Sequence, residues 1–229
     1  HGEILKNPTP SSKYVIISRG HKDTRYGSLK YASIYLSLGY NCIIYDLRGH
    51  GANESTFCSY SVREGKDLAE IVHFFQEKLG RNAEIGLHGE SLGAATTIAS
   101  LKDVQNVSFA VADCGFSDIE NVLEEIWRYS HIPTAIGPVM NQYAKLRFGI
   151  PISAMRPIDS LAKNQVPTLF IHGEADQYIL PVNSERMYEA TKGKRDLLLV
   201  PKAGHAESVF VNKSLYTEKL KDFLSSLAS

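Results

Sequence analysis

The most constraining feature of the sequence is a glycine-flanked serine at residues 89–93, which read Gly-Glu-Ser-Leu-Gly. A short apolar run, 84–88, precedes it, and a run of small residues, 94–99, follows it. This order predicts a strand, a sharp turn that holds the Ser91 hydroxyl out at the end of a sheet, and a helix. The N–H of Leu92 then lies unpaired at the positive end of the helix dipole, where it can bind a developing oxyanion. A glycine-rich turn with a helix-capping serine is the alternative interpretation.

Apolar runs without polar alternation recur along the chain and predict strands buried on both faces. Segments with helical spacing separate them, including one that begins with a capping box of Ser61 and Glu64. This alternation predicts an α/β fold, in which a mostly parallel central sheet is covered by helices on both faces. Ligands bind at the edge where the carboxyl ends of such strands meet. The predicted strands are 2–6 at a sheet edge, then 14–17, 42–45, 84–88, 107–112, 168–171 and 197–200.

One stretch, residues 116–165, breaks the alternation of strands and helices. Two helical patterns, near 118–129 and near 135–148, follow each other there without a strand between them. We interpret this apolar insertion as a helical cap over the carboxyl edge, with residues 1–115 and 166–229 forming the core of the domain. The alternative is that its apolar residues only pack the insertion onto the core.

Three reactive side chains follow predicted strand ends in the order Ser91, Asp176 and His205. A serine hydroxyl is a weak nucleophile until a nearby base takes its proton, and a histidine does this best when a carboxylate fixes its tautomer. The sequence therefore predicts a nucleophile, an acid and a general base at one edge of the sheet. Asp113, which also follows a predicted strand, is the alternative acid.

Four segments at predicted strand ends resemble the α/β-hydrolase fold superfamily, and within it the bacterial serine hydrolases related to serine aminopeptidases and monoglyceride lipases. These segments are Tyr-Asp-Leu-Arg-Gly-His-Gly at 45–51, Gly-Glu-Ser-Leu-Gly at 89–93, His-Gly-Glu-Ala-Asp at 172–176 and Gly-His at 204–205. The resemblance spans nearly all of residues 14–227. It implies that Ser91 is the nucleophile and Asp176 the orienting acid. It also implies that His205 is the general base and that the Leu92 N–H is one oxyanion donor.

The chain departs from the family pattern after its first buried strand. The family usually carries His-Gly-x there and uses the backbone N–H of x as the second oxyanion donor, whereas this chain has Arg19-Gly20-His21. By position the resemblance implies the N–H of His21, because a backbone donor does not depend on its own side chain. Lys22 is the alternative donor.

Three further polar side chains are interpreted as structural. Glu90, beside the predicted nucleophile, is expected to pair with Arg19 or Arg48. His50 and His88 are expected to form hydrogen bonds in a loop and in the core rather than to act in catalysis.

Composition excludes several classes of partner. The 229 residues include 25 Lys and Arg and 25 Asp and Glu, and this zero net charge is unlike a nucleic-acid or polybasic membrane surface. No apolar run approaches the roughly 18 residues that cross a bilayer. No pair of histidines or carboxylates has metal spacing, and the glycines of residues 46–51 do not form a nucleotide-binding motif, so no metal or cofactor is predicted. The sequence leaves the oligomeric state open.

The three cysteines, an odd number, are interpreted as buried or idle thiols, which favours a reducing compartment and hence the cytoplasm. Family members carry strands ahead of the first segment matched here, so the opening at His1 suggests a truncated or processed chain. Related bacterial hydrolases often have an N-terminal membrane anchor there. An extracytoplasmic, tethered protein is therefore the alternative.

The predicted reaction is acyl transfer to water from a small-molecule ester, because an ester needs less protonation of its leaving group than an amide. Trp127 and Met140 of the cap, together with Tyr178, are the candidate substrate-binding residues, and the apolar cap indicates a medium acyl or aromatic group. A peptidase on short peptides is the first alternative, with a cap acid as the anchor for a peptide terminus. The candidate anchors are Glu120, Glu124 and Glu125. A non-catalytic binding protein with this fold is the second alternative.

Overall fold

A seven-stranded sheet forms the centre of the protein, whose computed structural model describes residues 1–227. The strands are β1 (Gly2–Leu5), β2 (Lys13–Ser18), β3 (Asn41–Tyr45), β4 (Glu84–Glu90), β5 (Ala110–Asp113), β6 (Thr168–Gly173) and β7 (Arg195–Val200). Their order is β1-β3-β2-β4-β5-β6-β7, with β1 antiparallel to β3 and all other neighbours parallel. The predicted fold class, a mostly parallel sheet with helices, is confirmed.

Helices connect the parallel strands and follow the last of them. They are α1 (Leu29–Ser37), α2 (Val62–Leu79), α3 (Leu92–Ser100), α4 (Ile119–Tyr129), α5 (Gly137–Phe148), α6 (Val182–Ala190), α7 (Ser208–Val211) and α8 (Lys213–Ser225). The predicted capping box starts α2, where the Ser61 N–H donates to Glu64 Oε2 at 3.0 Å. None of the helices within residues 1–227 is both long and apolar enough to span a membrane.

The core lies on both faces of the sheet because successive strand residues point to opposite sides. On β2, Val15 and Ile17 face a cluster that includes residues of α1 and α8, whereas Ile16 faces a second cluster with residues of α2, α3 and α6. All three side chains are fully buried. The uninterrupted apolar runs of the parallel strands are therefore a direct consequence of helices on both faces.

Two helices and three short 3-10 helices fill the stretch between β5 and β6, and the structure describes no strand there. The helices α4 and α5 match the two helical patterns predicted within residues 116–165. The strand predicted over 107–112 begins only at Ala110, where the chain first pairs with both β4 and β6. Part of the outer surface of α5 is apolar, since Val139 and Leu146 are 67% and 77% exposed.

We expect Phe170→Ala to lower the free energy of unfolding by about 3 to 5 kcal/mol, because Phe170 on β6 is fully buried and its loss leaves a cavity. Denaturant unfolding followed by circular dichroism measures this change. The matched control is Phe74→Ala on α2, whose side chain is 55% exposed, and its effect should stay below about 1 kcal/mol. Equal losses from the two variants would contradict the assignment of Phe170 to the core.

Candidate active site

The turn between β4 and α3 holds Ser91 in a strained backbone conformation with positive φ, at φ of 54° and ψ of −117°. Residues other than glycine rarely adopt this backbone conformation, and it persists only where surrounding contacts enforce it. The glycines allow those contacts: a Cβ atom on Gly89 would strike the carbonyl of Gly93, and one on Gly93 would strike the carbonyl of Ser18. Leu92 opens α3, so its N–H has no carbonyl four residues earlier within the helix.

The structure brings together the three side chains predicted to react. Ser91 Oγ lies 2.9 Å from His205 Nε2, and His205 Nδ1 lies 2.7 Å from Asp176 Oδ2. A carboxylate oxygen only accepts, so His205 Nδ1 donates to Asp176, and neutral His205 presents its Nε2 lone pair to the Ser91 hydroxyl. This is the arrangement in which an imidazole can take a proton from a serine.

Hydrogen bonds keep the buried carboxyl group of Asp176 ionised. Asp176 Oδ1 accepts from the N–H groups of Tyr178 at 2.9 Å and Ile179 at 3.0 Å. Burial alone raises the pKa of Asp176, but the hydrogen bonds from His172 and His205 outweigh burial and hold the pKa well below 3.8. Asp176 therefore remains an acceptor for His205 at neutral pH.

His172, which is fully buried, is a contact of Asp176 that sequence reasoning did not single out. Its Nε2 lies 2.8 Å from the carbonyl oxygen of Ile179 and 3.2 Å from Asp176 Oδ2, so this nitrogen carries the proton. Its Nδ1 lies 2.7 Å from Ser184 Oγ and accepts from that hydroxyl in the neutral ring. The available sequence signal was the position of His172 at the head of the segment that ends in Asp176.

The predicted oxyanion loop adjoins the serine. A Cβ atom on Gly20 would lie 3.5 Å from Ser91 Cβ, so the backbone beside His21 runs close to the predicted nucleophile. The His21 side chain turns to another loop, where its Nδ1 lies 3.2 Å from His50 Nε2. His50 donates from Nδ1 to the Arg48 carbonyl oxygen at 2.7 Å, so its Nε2 accepts from His21.

Glu90 is almost fully buried beneath this turn and is held by three donors. It forms an ion pair with Arg19, a second ion pair with Lys30 Nζ at 2.5 Å, and a hydrogen bond with the Tyr31 hydroxyl. Of the two partners expected from the sequence, Arg19 is the one observed. Arg48 instead pairs with an aspartate of α2.

The sequence model of the prolyl oligopeptidase family matches residues 28–228. The uncharacterized protein YqkD of Bacillus subtilis (strain 168) is 32% identical over 228 residues, which cover 98% of this chain and 74% of that protein. The chain belongs to the prolyl oligopeptidase family. The uncharacterized protein YfhR of Escherichia coli (strain K12) is 23% identical over 192 residues, which cover 82% of this chain and 61% of YfhR.

Solved structures support the same fold for this member of the prolyl oligopeptidase family. The Pyrococcus furiosus esterase Pf2001 superposes with a TM-score of 0.77 at 21% identity, covering 98% of this chain and 86% of the esterase. The Paleococcus ferrophilus monoacylglycerol lipase superposes with a TM-score of 0.70 at 18% identity, covering 99% of this chain and 98% of the lipase. Together with the family match, these structures confirm the predicted membership of the α/β-hydrolase fold superfamily.

A cavity of about 500 Å³ lies between α4 and the start of α6, and like the larger cavity described below it is lined by none of the three reactive residues. Tyr178 lines it and also contacts His205, with ring centroids 5.1 Å apart. Trp127 and Met140 are not among its lining residues. The Trp127 ring packs beside Gly137, and Met140 is 38% exposed on α5. A larger cavity of about 960 Å³ between β1, β3 and α2 is lined by none of the three reactive residues.

Within residues 1–227, one cluster has donor atoms near enough for a metal ion: atoms of Cys114, Asp176 and His205 lie within 4.8 Å of one another. Burial raises the pKa of the Cys114 thiol well above 9.0, which disfavours the thiolate that binds a metal. Asp176 and His205 also already bond to each other. The donor set therefore suits a hydrogen-bonded dyad better than a metal ion.

Asp113, the alternative acid, lies in a different environment from Asp176. It is fully buried, and its Oδ2 lies 3.0 Å from the Tyr31 hydroxyl oxygen, whose single proton it shares with Glu90. Burial, followed by the charge of Glu90, raises the pKa of Asp113 from 3.8 to about 6. The hydrogen bond of His205 goes to Asp176 instead.

These shifts give the two aspartates opposite effects on stability as pH changes. Below pH 3.8 Asp113 is protonated whether the chain is folded or not, so burial has no ionisation cost. Between about pH 4 and 6 the unfolded chain releases the proton first, so Asp113 lowers stability as pH rises. For Asp176, whose folded pKa is lowered, stability is instead lost as pH falls below about 4.

We therefore expect Asp113→Asn to become more stable relative to the unmodified protein as pH rises from 4 to 7. The gap between a pKa of 3.8 and one of about 6 corresponds to about 3 kcal/mol. Denaturant unfolding at several pH values measures the difference between the two proteins, which cancels pH effects elsewhere in the chain. A difference that is constant across this range would show that Asp113 does not titrate as described.

Proposed function

We propose that the protein is a serine hydrolase that cleaves carboxylic esters through an acyl-enzyme. The observation that carries this proposal is the continuous set of hydrogen bonds from Ser91 through His205 to Asp176. The proposed roles are nucleophile for Ser91, general base for His205 and orienting acid for Asp176. The sharp turn at the start of α3 supports it further, because it presents the Ser91 hydroxyl beside the N–H of Leu92, the first residue of that helix.

In the proposed mechanism, His205 Nε2 takes the proton of Ser91 as Oγ attacks the ester carbonyl carbon. The imidazolium that forms is stabilised by Asp176, to which its Nδ1–H donates. It then protonates the leaving alcohol, leaving an acyl group on Ser91. Water attacks this acyl group with His205 again as the base, which releases the acid and restores the serine.

The proposed oxyanion hole consists of two backbone donors, the N–H groups of Leu92 and His21. The first lies at the N-terminus of α3, where the helix dipole also favours negative charge. The second lies in the loop that Gly20 brings against Ser91. Lys22 remains the alternative second donor.

Residues 116–165 are proposed to form a cap, and Tyr178 to contact the substrate. Tyr178 lines the cavity beside α4 and touches the His205 ring, so a group bound there would lie next to the proposed general base. Apolar side chains such as Val122, Ile126 and Leu180 in the same cavity favour an acyl or aromatic group. Trp127 and Met140 are proposed to contact a substrate only if the cap rearranges.

A short-peptide hydrolase is the second candidate function, because the family that the chain belongs to is named for an oligopeptidase. Of the three acids considered as anchors for a peptide terminus, Glu125 lines the cavity, whereas Glu124 forms an ion pair with Arg128 at 3.4 Å. If peptides are the substrates, Glu125→Gln should raise KM for aminoacyl anilides and leave KM for neutral esters unchanged.

The deciding experiment is treatment with a fluorophosphonate probe, followed by mass spectrometry, beside a panel of p-nitrophenyl esters and aminoacyl anilides. An adduct on Ser91 would establish an activated serine, and the class of substrate cleaved faster would separate an esterase from a peptidase. The absence of both an adduct and turnover would favour a non-catalytic binding protein.

We expect Ser91→Ala to lower kcat on the order of 10⁵-fold or more, since the oxyanion hole alone retains little of the rate. The fold should be preserved, because the change removes one oxygen atom, and circular dichroism with thermal unfolding checks this. Ser100→Ala, at the other end of α3, is the matched control and should keep its turnover. Full activity in the Ser91 variant would refute the proposed nucleophile.

We expect Asp176→Asn to lower kcat by about 10⁴-fold, because an amide no longer holds His205 in the tautomer that accepts the serine proton. Asp113→Asn should change kcat by less than about tenfold, since Asp113 bonds to Tyr31 rather than to His205. Steady-state kinetics on the best ester of the panel compares the two variants. The reverse ranking would assign the acid to Asp113.

A further inference from the structure

Arg19 occupies the position at which the resemblance leads one to expect a histidine, and its side chain is nearly buried. Its exposed fraction is 11%, and that of the Glu90 side chain is 3%. One terminal nitrogen of the guanidinium, Nη1, bonds to Glu90, and the other, Nη2, bonds to Asp23. The remaining nitrogen, Nε, has no partner among the described residues. The guanidinium therefore joins two carboxylates through its two ends.

The two carboxylates lie in the two segments that carry the proposed oxyanion donors. Glu90 is the last residue of β4 and directly precedes Ser91 and Leu92. Asp23 is four residues beyond Arg19, so this contact closes the loop that contains His21. The Arg19 side chain therefore links the two ends of the loop that contains His21. It also links this loop to Glu90, the residue that precedes Ser91.

Packing around Arg19 leaves little freedom for other arrangements. A Cβ atom on Gly27 would strike both Asp23 and the Arg19 guanidinium, so this glycine gives the pair the space it occupies. Glu90 is held from its other side by Lys30 Nζ at 2.5 Å and by the Tyr31 hydroxyl. Burial lowers the pKa of Arg19, but the charges of Glu90 and Asp23 outweigh this and keep it protonated.

We propose that Arg19 is a positioning residue for the oxyanion hole, which holds the His21 N–H at a fixed distance from the Leu92 N–H by bridging Asp23 and Glu90. This inference rests on the proposed function. A tetrahedral oxyanion needs donors 2.7 to 3.1 Å from the position it will occupy, so movement of the loop weakens the transition state more than the bound substrate. An arginine suits the task because its planar fork can bond two carboxylates at once, whereas a lysine offers one point of charge.

The first test compares Arg19→Met and Arg19→Lys with the unmodified protein, using the best ester of the panel and the fluorophosphonate probe. Loss of one oxyanion donor typically lowers kcat by about 10²- to 10³-fold. We therefore expect Arg19→Met to lower kcat and the rate of phosphonylation of Ser91 by a similar factor of about 10 to 10², with KM changed less than about threefold. The kcat and the labelling rate of Arg19→Lys should lie between those of the unmodified protein and Arg19→Met, because lysine keeps the charge but cannot bridge both carboxylates.

The matched control is Arg25→Met. Arg25 also bridges a buried and a half-exposed carboxylate, Asp46 at 2.6 Å and Glu3 at 2.7 Å, but it ties the chain after Asp23 to β1 and to the residue that follows β3, and it forms an ion pair with neither Asp23 nor Glu90. The Arg25→Met substitution should lower the melting temperature about as much as Arg19→Met does. Its kcat should stay within about twofold of that of the unmodified protein. All assays are run well below the melting temperature of each variant, so that a loss of activity cannot be caused by unfolding.

The outcomes separate this inference from the proposed function. If the unmodified protein is labelled on Ser91 and Arg19→Met keeps kcat and the labelling rate within about threefold, the inference is wrong and the hydrolase proposal stands. The same conclusion follows if Arg25→Met lowers kcat equally. If the unmodified protein is not labelled, both proposals fail together. If Arg19→Met does not fold, the kcat and the phosphonylation rate of Arg19→Lys and Glu90→Gln are compared with those of the unmodified protein by the same criteria.

Discussion

The close contact between the turn at residues 89–93 and the end of β2 is the constraint on which the site depends. Ser18 pairs with Gly89 at the end of the β2–β4 ladder, and Gly93 then approaches the backbone of Ser18 and Arg19 so closely that a Cβ atom would not fit. The strained conformation of Ser91 persists because these contacts leave no room for another path. The same contact starts the loop that contains His21 beside the serine, so the proposed nucleophile and both proposed donors depend on one packing arrangement.

Three buried carboxyl groups lie at neighbouring strand ends, and each has a different electrostatic environment. Cations and a hydroxyl surround Glu90, whereas Asp113, its partner in the β4–β5 register, accepts from Tyr31 and has its pKa raised to about 6. Asp176 is held by backbone N–H groups and two imidazole rings, which lower its pKa. Removing one partner of a buried ion pair costs about 3 to 5 kcal/mol, so the ion pairs of Glu90 with Arg19 and Lys30 hold the residue that precedes Ser91 firmly in place.

Much of the fold could be predicted because its signals are local. The apolar runs predicted the strands, the capping box of Ser61 and Glu64 predicted the start of α2, and two helical patterns predicted α4 and α5. The start of β5 was predicted three residues too early, since a strand boundary depends on where both neighbouring strands begin to pair. The order of Ser91, Asp176 and His205 along the chain also identified side chains that the structure brings within hydrogen-bond distance.

The sequence by itself determined the α/β architecture, the turn around Ser91 and the candidate reactive residues, because glycine positions and hydrophobic periodicity act over short stretches of chain. Only the tertiary structure decided which of two aspartates bonds to His205, that His172 supports Asp176, and that Arg19 rather than Arg48 pairs with Glu90. These choices join residues that lie far apart in the chain or that compete for one partner. They depend on which strand ends are neighbours in the sheet and on the direction in which each side chain leaves its strand, and local sequence patterns encode neither.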